Sequence, residues 1–172
     1  MADSIFMEFL EQETREARRL AEQSDVLTLV RVPIPFEGLF LAEFKVPYLV
    51  LGPDGAIDVA PGPVGVMIRM EPDYLLHVDP LGFAQIREPQ FFHPNHRWPA
   101  LCVGEVRPAT SLRHALTHLY DIICYRNYAT DDALDPVAAY RLREEPEVLD
   151  RLPKPPRLVR RKLELSCELI EG

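Results

Sequence analysis

Through the middle of this chain the apolar residues alternate, while at both ends they recur at helical spacing. Val64, Val66, Ile68 and Met70 stand on one side of VGVMIRME at 64–71. Phe40, Ala42, Phe44, Val46 and Tyr48 repeat the period of two across 39–51. That period puts side chains on one face of a β-strand, so both stretches are predicted strands. Residues 26–32 (VLTLVRV) are apolar and β-branched, GPDG at 52–55 is a turn, and the apolar runs near 74–78 and 83–86 supply a fourth strand. Ahead of them, Ile5, Phe6, Phe9, Leu10, Ala17, Leu20 and Ala21 predict a helix over 4–23, with Ser4 as its cap. Behind them, Leu112, Ala115, Leu116, Leu119, Ile122 and Ile123 predict a helix over 111–126, capped by Thr110 or Ser111. Pro136 suits the first turn of a third helix, which reaches about Glu144 before Pro146 stops it. Helix, consecutive strands, an irregular stretch and then helices make an α+β chain, without the alternation of a parallel sheet.

At 172 residues the chain is expected to form one domain with a substantial core. The run PKPP at 153–156 marks a break, dividing a compact 1–152 from a Pro-rich, basic tail at 153–172. From 157 onward that tail reads as a strand or a loose end. The net charge of −8 argues against a nucleic-acid partner. Lys154, Arg157, Arg160, Arg161 and Lys162 form a basic run, while 131–150 holds seven acids against Arg141 and Arg143. A tail lying on an acidic face is the plain reading, and docking to an acidic partner is the sharper one. No stretch of 18 apolar residues predicts a membrane span. Residues 1–24 carry six acids and no apolar core of a signal peptide, so the expected location is cytoplasmic. Three cysteines (Cys102, Cys124, Cys167) without a CxxC pair fit neither a disulfide framework nor a closed zinc site.

The chemistry concentrates in 87–109, an extended stretch holding Pro89, Pro94, Pro99 and Pro108. Cys102 lies in it, ahead of a helix. A thiol there is either a small buried hydrophobe or a nucleophile, and His96 or Arg97 nearby would favour its ionisation. Seven residues earlier, His93-Pro94-Asn95 forms a rigid turn, and the Asn95 amide is a candidate donor to an oxyanion. Cys124, within a helix, and Cys167, in the tail, look structural. His93, His96 and Cys102 (H-x2-H-x5-C), or His114 with His118 at i, i+4, are the only spacings that suit a metal. No glutamate accompanies the second pair, and neither is expected to bind one. No glycine cluster cradles phosphates, so no cofactor is expected.

The stretches FFHPNHRWPALCVGEV, RPATSLRHALTHLYDII and NYATDDALDPVAAYRL together resemble the ubiquitin-conjugating enzyme family. The resemblance implies a ubiquitin-conjugating-enzyme-like fold: an N-terminal helix, a four-stranded antiparallel meander, an active-site loop and C-terminal helices. His93, Pro94 and Asn95 match the family's HPN turn, and Cys102 matches its thioester-forming cysteine. Asp131 or Asp132 falls where the family often keeps an acid near the incoming lysine, and Ala138 and Ala139 match an alanine pair. The spacing from Asn95 to Cys102 is one residue shorter than usual. Asp73-Tyr74-Leu75 stands where a tyrosine–proline pair is usual, and Arg107-Pro108 where a tryptophan is. The chain resembles the ubiquitin-conjugating-like proteins of bacterial operons that also encode an activating enzyme and a ubiquitin-like protein.

That resemblance implies catalysis by Cys102, Asn95, His93, Asp131 and Asp132. Its implied partners are a ubiquitin-like protein, an activating-like enzyme and an acceptor protein, in a pathway such as antiphage defence. Arg15, Arg18 and Arg19 on the first helix would help dock the activating enzyme. Two other readings compete. One is a catalytically silent relative that binds a ubiquitin-like protein or an activating enzyme. The other is an unrelated α+β binding module with a buried Cys102. If Cys102 is buried away from Asn95, the enzyme reading fails.

Overall fold

A computed structural model describes residues 2–35 and 37–159. Helix α1 spans Ala2–Glu22 and buries Phe6, Leu10, Ala17 and Leu20 while Arg15, Arg18 and Arg19 face solvent. The strands are β1 (Leu27–Val32), β2 (Gly38–Phe44), β3 (Tyr48–Leu51), β4 (Ile57–Ala60), β5 (Val64–Met70), β6 (Ala84–Glu88), β7 (His96–Arg97) and β8 (Ala100–Leu101). Helices α2 (Leu112–Ile123) and α3 (Pro136–Glu144) follow, then a 3₁₀ turn at Pro146–Arg151. The fold is mixed α+β. Its main sheet is antiparallel and six-stranded, in the order β1-β2-β5-β6-β8-β7, with β3 and β4 forming a separate hairpin.

Alternation decides which face is buried. Phe40, Ala42 and Phe44 of β2 and Val64, Val66, Ile68 and Met70 of β5 join Leu10, Leu20, Leu116, Leu119 and Ile123 in one core. The opposite sheet face carries exposed Thr28, Val30, Glu43, Arg69 and Arg87. The expected strand over 39–51 is two strands. After Phe44 the chain kinks, with Lys45 N–H donating to Val26 O (2.8 Å) and Val46 N–H to Phe44 O (2.9 Å). Pro47 then offers no N–H to continue the ladder. Gly62 closes over this kink: a Cβ there would stand 2.5 Å from Val46 O and 2.8 Å from Val46 N, so only glycine fits. The GPDG turn is present, with Gly55 at φ +80 and its N–H on Gly52 O at 3.0 Å. Strand β4 beyond it was not foreseen.

Residues 74–78 form turns, not a strand, because Pro72-Asp73 reverses the chain and Asp73 O accepts from the N–H groups of Leu76 and His77. Tyr74 is nonetheless buried: it stacks on Phe83 at 5.7 Å and donates its hydroxyl to Thr110 O at 2.8 Å. Ser111, not Thr110, caps α2, accepting from His114 N–H at 3.2 Å. Leu112 N–H donates to Glu13 Oε2 at 2.6 Å, so a buried carboxylate from α1 also closes that helix end. The described part of the tail packs against α2. Leu158 is buried, and Tyr120 donates its hydroxyl to Pro156 O. Arg160, Arg161, Lys162 and Cys167 lie outside the described residues.

Candidate functional site

The stretch Phe91–His96 contains no regular element until its last residue, yet all six residues are buried. Its polar groups must therefore find partners inside the protein. His93 is fully buried. Its Nδ1 accepts Asn95 N–H at 3.0 Å, and its Nε2–H donates to Ile122 O at 2.9 Å. A carbonyl can only accept, so the tautomer is fixed. The rings of Phe91 (5.4 Å), Tyr125 (4.5 Å) and Tyr128 (6.2 Å) enclose it. Burial pushes its imidazole down to about 3, so it stays neutral. With both nitrogens engaged, His93 posts the turn onto the end of α2 and has no nitrogen left for proton transfer.

Tyr125 serves the same end. It sits at φ 55, in the left-handed region, just after the α2 cap. The side chain holds it there: its hydroxyl donates to Phe92 O and its ring packs on His93. A glycine would suit the backbone and forfeit both contacts.

Asn95 joins three segments. Its backbone carbonyl accepts Cys102 N–H at 2.7 Å. Its Nδ2 donates to Cys102 O at 3.0 Å, and its Oδ1 accepts Ala129 N–H at 2.8 Å. Pro94 O meanwhile accepts Asp135 N–H at 2.9 Å. All three residues of the turn are thus committed: His93 to α2, Pro94 to the start of α3, and Asn95 to Cys102 and the loop leading to α3.

Cys102 follows β8, which lies between β6 and the edge strand β7. Buried Leu101 and Val103 flank it, and by strand alternation its own side chain points the other way. It is half-buried and a free thiol. His118 donates Nε2–H to Val103 O at 2.8 Å, pinning the next residue to α2, and Gly104 at φ 69 turns the chain outward. Arg97, which ends β7, and Trp98, on the β7–β8 turn, are exposed. Cys124 contrasts: it ends α2 beside Tyr120, and burial pushes its thiol up to about 11.

Asp131 and Asp132 are exposed on the loop after Ala129. Asp131 lies 3.9 Å from Arg143 Nη1, across the surface. The acid that shapes this region is Asp135, which caps α3 by accepting Val137 N–H (2.9 Å) and Ala138 N–H (3.0 Å) on Oδ1. An Asp immediately before a helix-opening Pro is a cap signal, so Asp135 was legible in DPVAAY. His96 was named as a cation that would favour Cys102 ionisation, but burial lowers its imidazole and so disfavours the charged form. It is buried, stacked on Phe91 at 4.7 Å, and bonded through Nδ1 to Phe91 O at 2.8 Å. Among the described residues, no group of three or more ligating side chains converges on a metal position. The chain matches no protein-family model and no curated protein.

Proposed function

We propose that this chain is a cysteine-dependent acyltransferase of ubiquitin-conjugating type. It carries a ubiquitin-like protein as a thioester on Cys102 and passes it to an acceptor amine. The observation that carries this reading is the double tie between Asn95 and the Cys102 peptide, at 2.7 and 3.0 Å, beside a half-exposed thiol. A buried structural cysteine needs no such frame, and the condition that would have excluded an enzyme, a Cys102 buried away from Asn95, is not met. The order of helix, antiparallel strands, HPN turn, cysteine and two helices supports a ubiquitin-conjugating-like fold.

In the loading step the Cys102 thiolate attacks the thioester carbonyl of an activating-like enzyme. A new C–S bond forms, and the old one breaks, releasing the enzyme's thiolate. In the transfer step a neutral amine attacks the same carbonyl. The C–N bond forms, Sγ leaves as thiolate, and the amine gives up a proton. Each tetrahedral intermediate carries an oxyanion. Asn95 Nδ2 has two N–H groups, and the one not given to Cys102 O is the candidate donor to it. Asp131 and Asp132, exposed beyond Ala129, would meet the cationic amine before it loses its proton. His93 has no chemical step in this scheme and holds the turn. Arg15 and Arg18, exposed on α1, would face the activating enzyme.

The test is the intact mass of the full chain recovered from cells expressing its genomic neighbours, beside Cys102→Ala. A thiol-labile adduct the size of a small protein, absent from Cys102→Ala, supports the proposal. An unmodified wild type beside a charged activating enzyme would favour the silent-module reading.

A further inference from the structure

The hairpin that leads to Cys102 has two faces, and its register sorts the residues between them. Asn95 lies opposite Cys102, whose N–H donates to Asn95 O at 2.7 Å. His96 then lies opposite Leu101, and Arg97 opposite Ala100. Side chains alternate along each strand, so His96 and Leu101 share one face while Asn95, Arg97, Ala100 and Cys102 share the other. Burial agrees. His96 and Leu101 are buried, Ala100 and Cys102 are half-buried, and Arg97 is exposed. Asn95, on the outer face, is covered by the loop it binds at Ala129.

Arg97 is therefore the diagonal neighbour of Cys102 across the hairpin. Such neighbours stand roughly 7–8 Å apart, within reach of a long side chain. Among the described residues, none forms a hydrogen bond or ion pair with the Arg97 guanidinium. That group is always charged and presents its donors as a planar fork that fits a carboxylate. On the other side of Asn95, the loop tied at Ala129 carries the exposed carboxylates of Asp131 and Asp132. One cation and two anions are thus brought to the residues around one thiol. The ligand complementary to that pattern holds an amine and a carboxylate together. The modifier's own terminal carboxylate is consumed in the thioester, so the carboxylate must come with the acceptor.

We propose that Arg97 selects the acceptor: its guanidinium binds a carboxylate carried beside the attacking amine, so lysines flanked by aspartate or glutamate are preferred. This rests on the function proposed above. Arg97 orients the acceptor and takes no part at the acyl carbon. No covalent bond changes at the carboxylate.

The experiment compares wild type, Arg97→Gln and Arg97→Lys as full chains. Arg97 is exposed, so the variants keep the fold. The first readout is alkylation of Cys102, followed by peptide mass spectrometry, with anionic iodoacetate and neutral iodoacetamide. Both reagents meet the same thiolate, so the ratio of their rates cancels ionisation and access and reports local charge. At Cys102 that ratio is expected to fall at least threefold in Arg97→Gln, to recover in Arg97→Lys, and to converge among the three proteins at about 0.5 M salt. Cys124 is the internal standard. Equal ratios in wild type and Arg97→Gln overturn the placement of the cation. The second readout is discharge of the charged protein by acetyl-Lys-Glu-amide or acetyl-Lys-Gln-amide. Wild type is expected to favour the first at least threefold, and Arg97→Gln to treat the two alike. No preference in wild type, or one that survives in Arg97→Gln, overturns the selection. Alkylation needs no ubiquitin-like protein. An equal ratio therefore leaves the thioester reading standing, and a missing Cys102 adduct leaves the alkylation result standing.

Discussion

Replacing Asn95 by alanine removes a side chain that joins the Cys102 peptide to the loop at Ala129. Two part-buried hydrogen bonds disappear, Nδ2 to Cys102 O at 3.0 Å and Ala129 N–H to Oδ1 at 2.8 Å. Each is worth about 0.5–1.5 kcal/mol net, so Asn95→Ala is expected to lower unfolding stability by ~1–3 kcal/mol. With a urea slope of about 2 kcal/mol/M, the midpoint falls by roughly 0.5–1.5 M. Trp98, the only tryptophan, sits on the adjoining turn and reports the transition by fluorescence. Asn95→Asp keeps an acceptor for Ala129 N–H but turns a carboxylate oxygen toward the Cys102 carbonyl, and is destabilised too. If Asn95 also donates to the oxyanion, transfer from a preformed thioester slows by ~10²–10³ in Asn95→Ala. Stability within about 0.5 kcal/mol of wild type, with an unaltered rate of Cys102 alkylation, would refute the claim that Asn95 frames the site.

His93 makes stability pH-dependent. Its imidazole titrates near 6.5 in the unfolded chain and at about 3 in the native one, so below pH 6.5 the unfolded state binds a proton that the native state does not. Stability is therefore expected to fall toward acid with a slope approaching ~1.4 kcal/mol per pH unit, His96 acting in the same direction, and to fall less steeply in His93→Gln. Denaturant melts from pH 7.5 to pH 4 check this. Burial raises the Glu13 carboxyl, so its charged form opposes folding as pH rises through the native value. Glu13→Gln keeps an acceptor for Leu112 N–H and should match or exceed wild-type stability at pH 8, whereas Glu13→Ala leaves that N–H without a partner and costs about 1–3 kcal/mol by the same melts. In Gly62→Ala the new methyl meets Val46 backbone at 2.5 Å, and thermal unfolding should show a loss of ~1–3 kcal/mol.

The layout was legible where one pattern ran long enough to bury one face. Leu112 to Ile123 kept helical spacing over three turns, and Val64 to Met70 kept a period of two, so α2 and β5 were readable nearly to their ends. Strands β7 and β8 have two residues each, too short for any period, so 87–109 read as loop although it completes the sheet edge. The split at Lys45–Pro47 was hidden because Val46 and Tyr48 carry the alternation across the kink. At the site, the juxtaposition of Asn95 and Cys102 was expected from the family resemblance, and turn and spacing alone left it open. The partners of His93 and His96 were not legible, because Ile122 O and Phe91 O are backbone atoms that no side-chain pattern reveals. Asp131 and Asp132 drew notice by their place in the family resemblance, while Asp135, three residues after Asp132, does the capping.

The central claim is that Cys102 itself forms the acyl bond. The most direct measurement maps the attachment site in a charged sample, digested at mildly acidic pH without reductant. The account expects the C-terminal glycine of a ubiquitin-like protein on the peptide containing Cys102, released by added thiol and absent from Cys102→Ala. Attachment at Cys124, Cys167 or a lysine, persisting in Cys102→Ala, would contradict it.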